Sequence, residues 1–158
     1  MHDDELDPRI RGHATVHQLR ALTVELNLFG AEFARSHHLH TTDLRALITL
    51  LDAARAGHPA TPGWLGQQLG ISSASTTALI DRLEKQGLLC RSRDTADRRR
   101  VVVEVTSHAV DLGTSFFGPL IDRAVVAIES FSPRERETIG AFLEKMHAVA
   151  AGVRAEQL

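Results

Sequence analysis

Residues 61–106 of this 158-residue chain read TPGWLGQQLGISSASTTALIDRLEKQGLLCRSRDTADRRRVVVEVT, and they carry its clearest structural pattern. Thr61-Pro62 is a typical helix start, because the hydroxyl can accept from a free backbone N–H and proline suits the first helical position. Gly70 permits a sharp turn, and Ser72 can cap a second helix that ends at Gly87. Two short strands follow, joined by an arginine-rich loop. The stretch therefore predicts a winged helix-turn-helix.

The second helix of this pair is predicted to expose small side chains. Its buried stripe is Thr76, Leu79, Ile80 and Leu83, whereas residues 73–78 are small and mostly carry hydroxyls. Small side chains let a helix approach a DNA groove closely, and hydroxyls can bond to base edges or phosphates. A helix face selected only for solvation would more often carry Glu, Lys and Gln. We interpret the first turns as a DNA recognition surface, with a plain solvated face as the alternative.

The predicted loop between the strands concentrates positive charge. The net charge of the chain is -2, which is unfavourable for binding phosphates. However, residues 91–100 contain five of its arginines: Arg91, Arg93, Arg98, Arg99 and Arg100. A local cationic patch can bind DNA even when the whole chain is acidic. Because only Asp94 and Asp97 offset three consecutive arginines, we interpret the loop as a DNA-binding wing, with a solvated charged loop as the alternative.

The flanking sequence predicts helices with long apolar stripes. Between residues 14 and 33, apolar residues recur every three or four positions, and between 41 and 56 a second stripe follows. The first stripe is Val16, Leu19, Leu22, Leu26, Phe29 and Phe33, and the second is Leu44, Leu47, Ile48 and Leu51. A stripe of this length must pack against another helix, either in the same chain or in a second copy.

Two further helices are expected after the wing. The first runs from about residue 108 to 130 and contains Pro119, which should kink it or divide it into two segments. The second starts at Ser132-Pro133 with Glu135 completing a capping box. The predicted fold class is mainly α with a small β wing, that is, a winged helix-turn-helix lobe plus a helical dimerisation domain.

Composition excludes several classes of protein. The single cysteine, Cys90, cannot form an intramolecular disulfide or a CxxC metal site, and we expect it to be a packed structural residue rather than a thiol sensor. No apolar run approaches the roughly 20 residues of a membrane span. The N-terminal 12 residues are expected to be a loose acidic arm and not a signal peptide, which places the protein in the cytoplasm. No catalytic motif occurs at a plausible spacing, so we do not expect an enzyme, and no cofactor is expected.

The order of elements resembles the MarR family of bacterial transcription regulators across nearly the whole chain. Three motifs carry the resemblance: LIDRLEKQGL at 79–88, DTADRR at 94–99 and VEVT at 103–106. Two departures from the family pattern are Ala78, where a longer polar or basic side chain is common, and Gly66, which replaces the usual alanine. A glycine inside a helix costs roughly 1 kcal/mol relative to alanine, and Trp64 could cover the exposed backbone.

The resemblance implies a homodimer that binds double-stranded DNA at a palindromic operator. The implied regions are an arm at 1–12, a winged helix-turn-helix lobe at 41–106, and a helical dimerisation region at 13–40 and 107–152. Recognition helices would enter major grooves, and the wing would reach the adjacent minor groove. Arg82 and Asp81 match positions that commonly pair with other charges in the lobe, and Asp97 would orient Arg99 or hold the loop. The residues expected at the DNA surface are Ser72, Ser73, Ser75, Thr77, Arg82, Arg91, Asp97, Arg98, Arg99 and Arg100.

The resemblance also implies a small-molecule effector that releases the protein from DNA, so a repressor is expected. Candidate ligand-binding residues are His13, His17, Arg20 and Trp64. A metal-responsive regulator of the same fold is an alternative, since His37, His38, His40 and Asp43 lie close in sequence, as do His108 and Asp111 on one helix face. The set lacks a convincing further ligand, so no metal site is assigned. A winged-helix module that binds a protein instead of DNA is the other alternative, although it would not need the arginines of the wing.

Overall fold

The computed structural model describes residues 8–157, and within them the chain forms helices and one two-stranded antiparallel sheet. The elements are α1 (Pro8–Ser36), α2 (Thr41–Arg55), α3 (Pro62–Leu69), α4 (Ser73–Lys85), β1 (Leu89–Arg93), β2 (Val101–Val105), α5 (Ser107–Glu129) and α6 (Pro133–Glu156). The predicted fold class, mainly helical with a small β wing, is confirmed. None of the helices in this range is both long enough and apolar enough to cross a membrane.

The helix-turn-helix forms through the local signals expected from the sequence. The backbone N–H of Trp64 donates to Thr61 Oγ1 at 3.2 Å, and the N–H of Ser75 donates to Ser72 Oγ at 3.2 Å. Gly70 adopts φ 66°, a left-handed conformation that glycine reaches without a Cβ clash. These caps fix where α3 ends and α4 begins.

The core of the first part of the chain lies among α2, α3, α4 and the sheet. The least exposed large side chains there are Leu65, Ile80, Leu83, Leu89, Thr76 and Asp43. In the sheet, Leu89 pairs with Val105 and Arg93 with Val101, while the N–H of Val103 donates to Ala60 O at 2.8 Å. The loop before α3 is thus held along the free side of β2.

The chain divides into two compact units, with the boundary between Leu112 and Gly113 inside α5. In the second unit, the predicted capping box at Ser132 is present, since Ser132 N donates to Glu135 Oε2 at 2.8 Å. The hydroxyl of Ser132 also donates to Glu135 Oε2, at 2.6 Å, and this bond, followed by the backbone one, holds the pKa of Glu135 below its ordinary value. Pro119 lies inside α5, which is a single helix and not two segments. The dimerisation region expected at 13–40 and 107–152 remains a prediction.

Two expectations about the first half need correction. Helix α1 begins at Pro8, so residues 8–12 are helical instead of part of an arm, which agrees with the preference of proline for the first helical turn; residues 1–7 lie outside the described range. In α2, Leu44 and Leu47 are buried as predicted, but Ile48 is 47% exposed and Leu50, which is not in the predicted stripe, is buried. Most positions from 46 to 51 are apolar, so spacing alone could not select the buried ones.

The expected packing of Cys90 is also wrong. The thiol is free and exposed. Its neighbour Leu89 is buried, and successive side chains of a strand point to opposite faces. Since the core covers the Leu89 face at this position, Cys90 faces away from it.

Candidate nucleic-acid interface

The first turns of α4 present a hydroxyl-bearing surface. Ser72, Ser73, Ser75 and Thr77 are exposed, whereas Thr76 is buried. Ser72 Oγ donates to Ser75 Oγ at 2.9 Å, so the hydroxyl proton of Ser75 remains available to an external acceptor. Thr77 Oγ1 donates to Ser73 O at 3.0 Å and keeps lone pairs that can accept from a base or a protein donor. The surface can therefore both donate and accept.

A cleft of about 440 Å³ lies between α3 and this surface. Its lining is dominated by glycine and hydroxyl residues: Pro62, Gly63, Gly66, Gln67, Gly70, Ile71, Ser73, Thr76 and Thr77. At Gly66, an added Cβ would lie 2.5 Å from Thr76 Oγ1. The departure from alanine at this position is thus explained by the close approach of α3 and α4.

The wing is a short loop held by its two aspartates. Asp94 is buried; its Oδ1 accepts from Ala96 N at 2.9 Å, and its N–H donates to Arg100 O at 3.0 Å. Asp97 Oδ1 accepts from Arg99 N at 3.0 Å, while Arg100 N donates to Asp97 O at 2.9 Å. Of the two roles expected for Asp97, the structure shows the one that holds the loop.

The arginines expected at the DNA surface differ in their partners. Arg82 binds the buried carboxylate of Asp43 through both Nε and Nη2. Arg91 donates from Nη2 to Asp81 Oδ1 at 2.6 Å and from Nη1 to Glu84. These guanidinium groups hold α2, α4 and β1 together. Each is already bound by carboxylates of the same chain.

The pKa of Arg91 is raised above its ordinary value, mainly by the hydrogen bond to the Asp81 carboxylate, against the opposing effect of desolvation.

The arginines of the wing are more available to an external partner than Arg82 and Arg91. Arg100 Nη1 lies 3.8 Å from Asp94 Oδ2, a distance that gives only a loose ion pair. Both Arg98 and Arg99 have exposed side chains, and neither forms an ion pair with any of the described side chains. Arg93 Nη1 donates to Arg98 O at 3.3 Å and so supports the loop that carries them. The free positive charge of the wing is therefore concentrated at its tip.

The predicted ligand-binding residues are not brought into one cavity. His13, His17 and Arg20 are exposed along α1, whereas Trp64 is half-buried, with its ring centroid 4.8 Å from that of His58. A larger cavity of about 920 Å³, which the sequence did not reveal, lies between the C-terminal half of α2, the sheet and the start of α5. It is lined by none of those four residues; Leu50, Ala54, Cys90, Ser92, Glu104 and Val110 are among its lining residues.

The histidines after α1 do not form a metal site. Among the described residues, no group of three or more His, Cys, Asp or Glu side chains could hold a metal ion. His37 Nδ1 lies 2.9 Å from Phe33 O, and His38 adopts φ 55° at the end of α1. The carboxylate of Asp43 accepts from Arg82 and from the backbone N–H of His40. These histidines and Asp43 are close in sequence, but their side chains do not meet at a common point where a metal ion could bind.

Comparisons with known proteins agree with this geometry. The sequence model of the MarR family matches residues 43–101. The chain is 34% identical over 143 residues to the uncharacterised HTH-type transcriptional regulator YcgE of Bacillus subtilis (strain 168), covering 90% of this chain and 88% of YcgE. It is 25% identical over 93 residues to the HTH-type transcriptional repressor YetL of the same organism, covering 59% and 54% of the two chains.

Two solved structures of S. aureus MepR share the fold, each at 18% identity and over 85% of this chain. One is a complex with DNA, with a TM-score of 0.55 over 98% of the MepR chain. The other is bound to ethidium bromide, with a TM-score of 0.57 over 95% of the MepR chain.

Proposed function

Because this chain belongs to the MarR family of transcriptional regulators, we propose that it is a repressor that binds a palindromic operator as a homodimer and is released by a small molecule. Members of the family are regulators and not enzymes. The single observation that carries the DNA-binding part is that an exposed hydroxyl surface on α4 is accompanied by a wing whose tip arginines, Arg98 and Arg99, have exposed side chains without an ion pair among the described side chains.

In this proposal, the two parts of the interface have different roles. The hydroxyls of Ser73, Ser75 and Thr77 read base edges or phosphates from the major groove. Arg98 and Arg99 enter the adjacent minor groove, where narrow A·T-rich segments carry enhanced negative potential. Because α4 is uncharged at its N-terminal end, most of the electrostatic affinity comes from the wing. A solved structure of MepR, which shares this fold, is a complex with DNA, and this supports DNA binding by the chain.

The homodimer is supported by apolar side chains that a single chain leaves exposed on three helices. On α1 these are Val16, Leu22, Val24, Leu26 and Leu28; on α5, Leu120, Ile121, Val125 and Val126; and on α6, Leu143, Val149 and Val153. Burying such a surface against a second copy removes it from water, which stabilises association by roughly 25 cal/mol per Å². Two copies would also present two α4 helices to half-sites about one helical turn apart, as a palindromic operator requires.

A small-molecule effector is supported by the ethidium-bound structure of MepR and by the 920 Å³ cavity, which is within the usual size range of ligand sites. His13, His17, Arg20 and Trp64 remain the proposed ligand residues only if a second copy completes their site. The repressor role is supported by the name of YetL, a transcriptional repressor. The metal-responsive alternative has no supporting cluster in the described residues and is not proposed.

Substitutions in the wing test the proposed DNA binding. We expect the double variant R98A/R99A to bind promoter DNA from upstream of its own gene more weakly. The slope of log affinity against log salt should also fall by about two for each wing that contacts DNA, because two phosphate-neutralising charges are lost. Electrophoretic mobility shifts at several salt concentrations measure both quantities.

A matched control removes the same charge from another exposed surface. Arg45 and Arg55 are exposed on α2, so R45A/R55A should leave the salt slope nearly unchanged. A wild-type protein that binds no DNA would favour the protein-interaction module instead, whereas an R98A/R99A variant that binds DNA as the control does would contradict the role of the wing. That alternative module has no need for the wing arginines.

A further inference from the structure

One carboxylate joins the start of α2 to the last turn of α4. The side chain of Asp43 is 0% exposed. Its Oδ2 accepts from His40 N at 2.9 Å and from Arg82 Nε at 3.2 Å, while its Oδ1 accepts from Arg82 Nη2. His40 caps α2, and Arg82 lies in the last turn of α4. The two helices are therefore fixed to each other through one buried group, although the two paired residues are 39 positions apart in the sequence.

The geometry of the pair constrains orientation as well as distance. A guanidinium is planar, and its Nε and Nη2 donors point in fixed directions, so a bidentate contact with a carboxylate defines the plane of both groups. Arg82 is 37% exposed and extends from α4 to a carboxylate that cannot move, because it is enclosed by the core and also caps α2. Rotation of α4 about its axis would break at least one of these hydrogen bonds.

The apolar contacts of α4 do not supply the same constraint. Leu79, Ile80 and Leu83 are buried and provide most of the burial of α4, but hydrophobic contact is not directional. A buried ion pair, by contrast, contributes little net stability, because desolvation of both charges opposes their attraction. Its main contribution in the intact protein is therefore expected to be to the geometry of α4, although removing one partner alone also destabilises the fold, because the other charge is left unpaired.

We propose that Asp43 is a positioning residue for DNA reading. Through Arg82, it sets the rotation and tilt of α4, and hence the direction in which the hydroxyls of Ser73, Ser75 and Thr77 point. This inference rests on the proposed function, and it reassigns Arg82 from a DNA contact to a support for the residues that make those contacts. Operator discrimination then depends on a carboxylate that does not touch DNA, whereas general affinity depends on the wing.

The test compares specific with non-specific binding. An operator is first selected from a random duplex library with the wild-type protein. Affinities for this operator and for a shuffled duplex of equal composition are then measured by fluorescence anisotropy for D43N, R82K and D43N/R82K. We expect the ratio of the two affinities to fall about tenfold in each single variant, the effect of one lost base contact, with binding to the shuffled duplex nearly unchanged. The double variant should lose little more than either single variant, because both act through one contact.

The control is D52N, which breaks an exposed ion pair on the same helix, Asp52–Arg55, and should keep the wild-type ratio. R82K keeps a cation beside the buried carboxylate and so guards against unfolding, which circular dichroism monitors. A lower melting temperature with an unchanged affinity ratio would overturn the positioning role and leave only a structural one. A wild-type protein that selects no preferred sequence would instead refute the proposed function itself, so the two failures are distinct.

Discussion

At Gly66, helix α3 passes so close to α4 that a side chain does not fit. A Cβ at this position would lie 2.5 Å from Thr76 Oγ1 and 3.4 Å from Ile71 O. Alanine would improve helix propensity by up to about 1 kcal/mol, but overpacking of a core typically costs about 1–3 kcal/mol. We expect G66A to lower the free energy of unfolding by about 1–2 kcal/mol in urea denaturation.

The double variant G66A/T76A identifies the cause of this loss. Removing Thr76 Oγ1 leaves its Cβ position 3.6 Å from the new methyl, an ordinary contact. In the T76A background, G66A should therefore be neutral or stabilising, a coupling of at least about 1 kcal/mol between the two sites. G63A is the control, since an added Cβ there meets nothing within 4 Å. If G66A stabilised the protein as G63A is expected to, α3 and α4 would have to separate without cost.

In the wing, Asp97 is expected to affect DNA binding in two ways, through its negative charge and through the loop conformation that it stabilises. Its carboxylate adds negative charge beside Arg98 and Arg99, yet its Oδ1 also accepts from Arg99 N at 3.0 Å. D97N removes the charge and keeps an oxygen acceptor, whereas D97A removes both. We expect D97N to bind DNA at least as tightly as the wild type, because repulsion with phosphate is lost.

D97A should bind the operator about two- to tenfold more weakly than D97N, the effect of one hydrogen bond that orders the loop. Anisotropy titrations at two salt concentrations give both comparisons, and the two variants share the same net charge. Equal affinities for D97N and D97A would mean that the hydrogen bond to Arg99 N does not order the wing in solution.

The sequence predicts features that depend on neighbouring residues better than features that depend on distant ones. The limits of α3 and α4 follow from Thr61, Gly70 and Ser72, whose caps act within three residues. The pairing of Asp43 with Arg82 has no local signature, because it depends on how α2 packs against α4 across 39 positions. Sequence spacing therefore predicts α4 as the recognition helix, but it could not show that Arg82 and Arg91 are paired with carboxylates of the lobe.

The proposed dimer depends on the apolar face of α1. Leu26 is 48% exposed in the single chain, and we expect it to be buried when a second copy binds. A glutamate at this position would place a charge in that interface, where an unpaired buried charge is strongly unfavourable. We expect L26E to be largely monomeric at micromolar concentration, whereas the wild type is a dimer, as measured by multi-angle light scattering.

Ile48 provides a matched control, because it is 47% exposed but lies on α2, outside the predicted dimerisation region. I48E adds the same charge in place of a similar side chain, and the protein should remain a dimer. L26E should also lose affinity for a two-half-site operator while keeping weak binding to a single half-site, since each lobe retains its own α4 and wing. Dissociation of both variants, or of neither, would argue that the exposed stripe of α1 is not the surface that joins two copies.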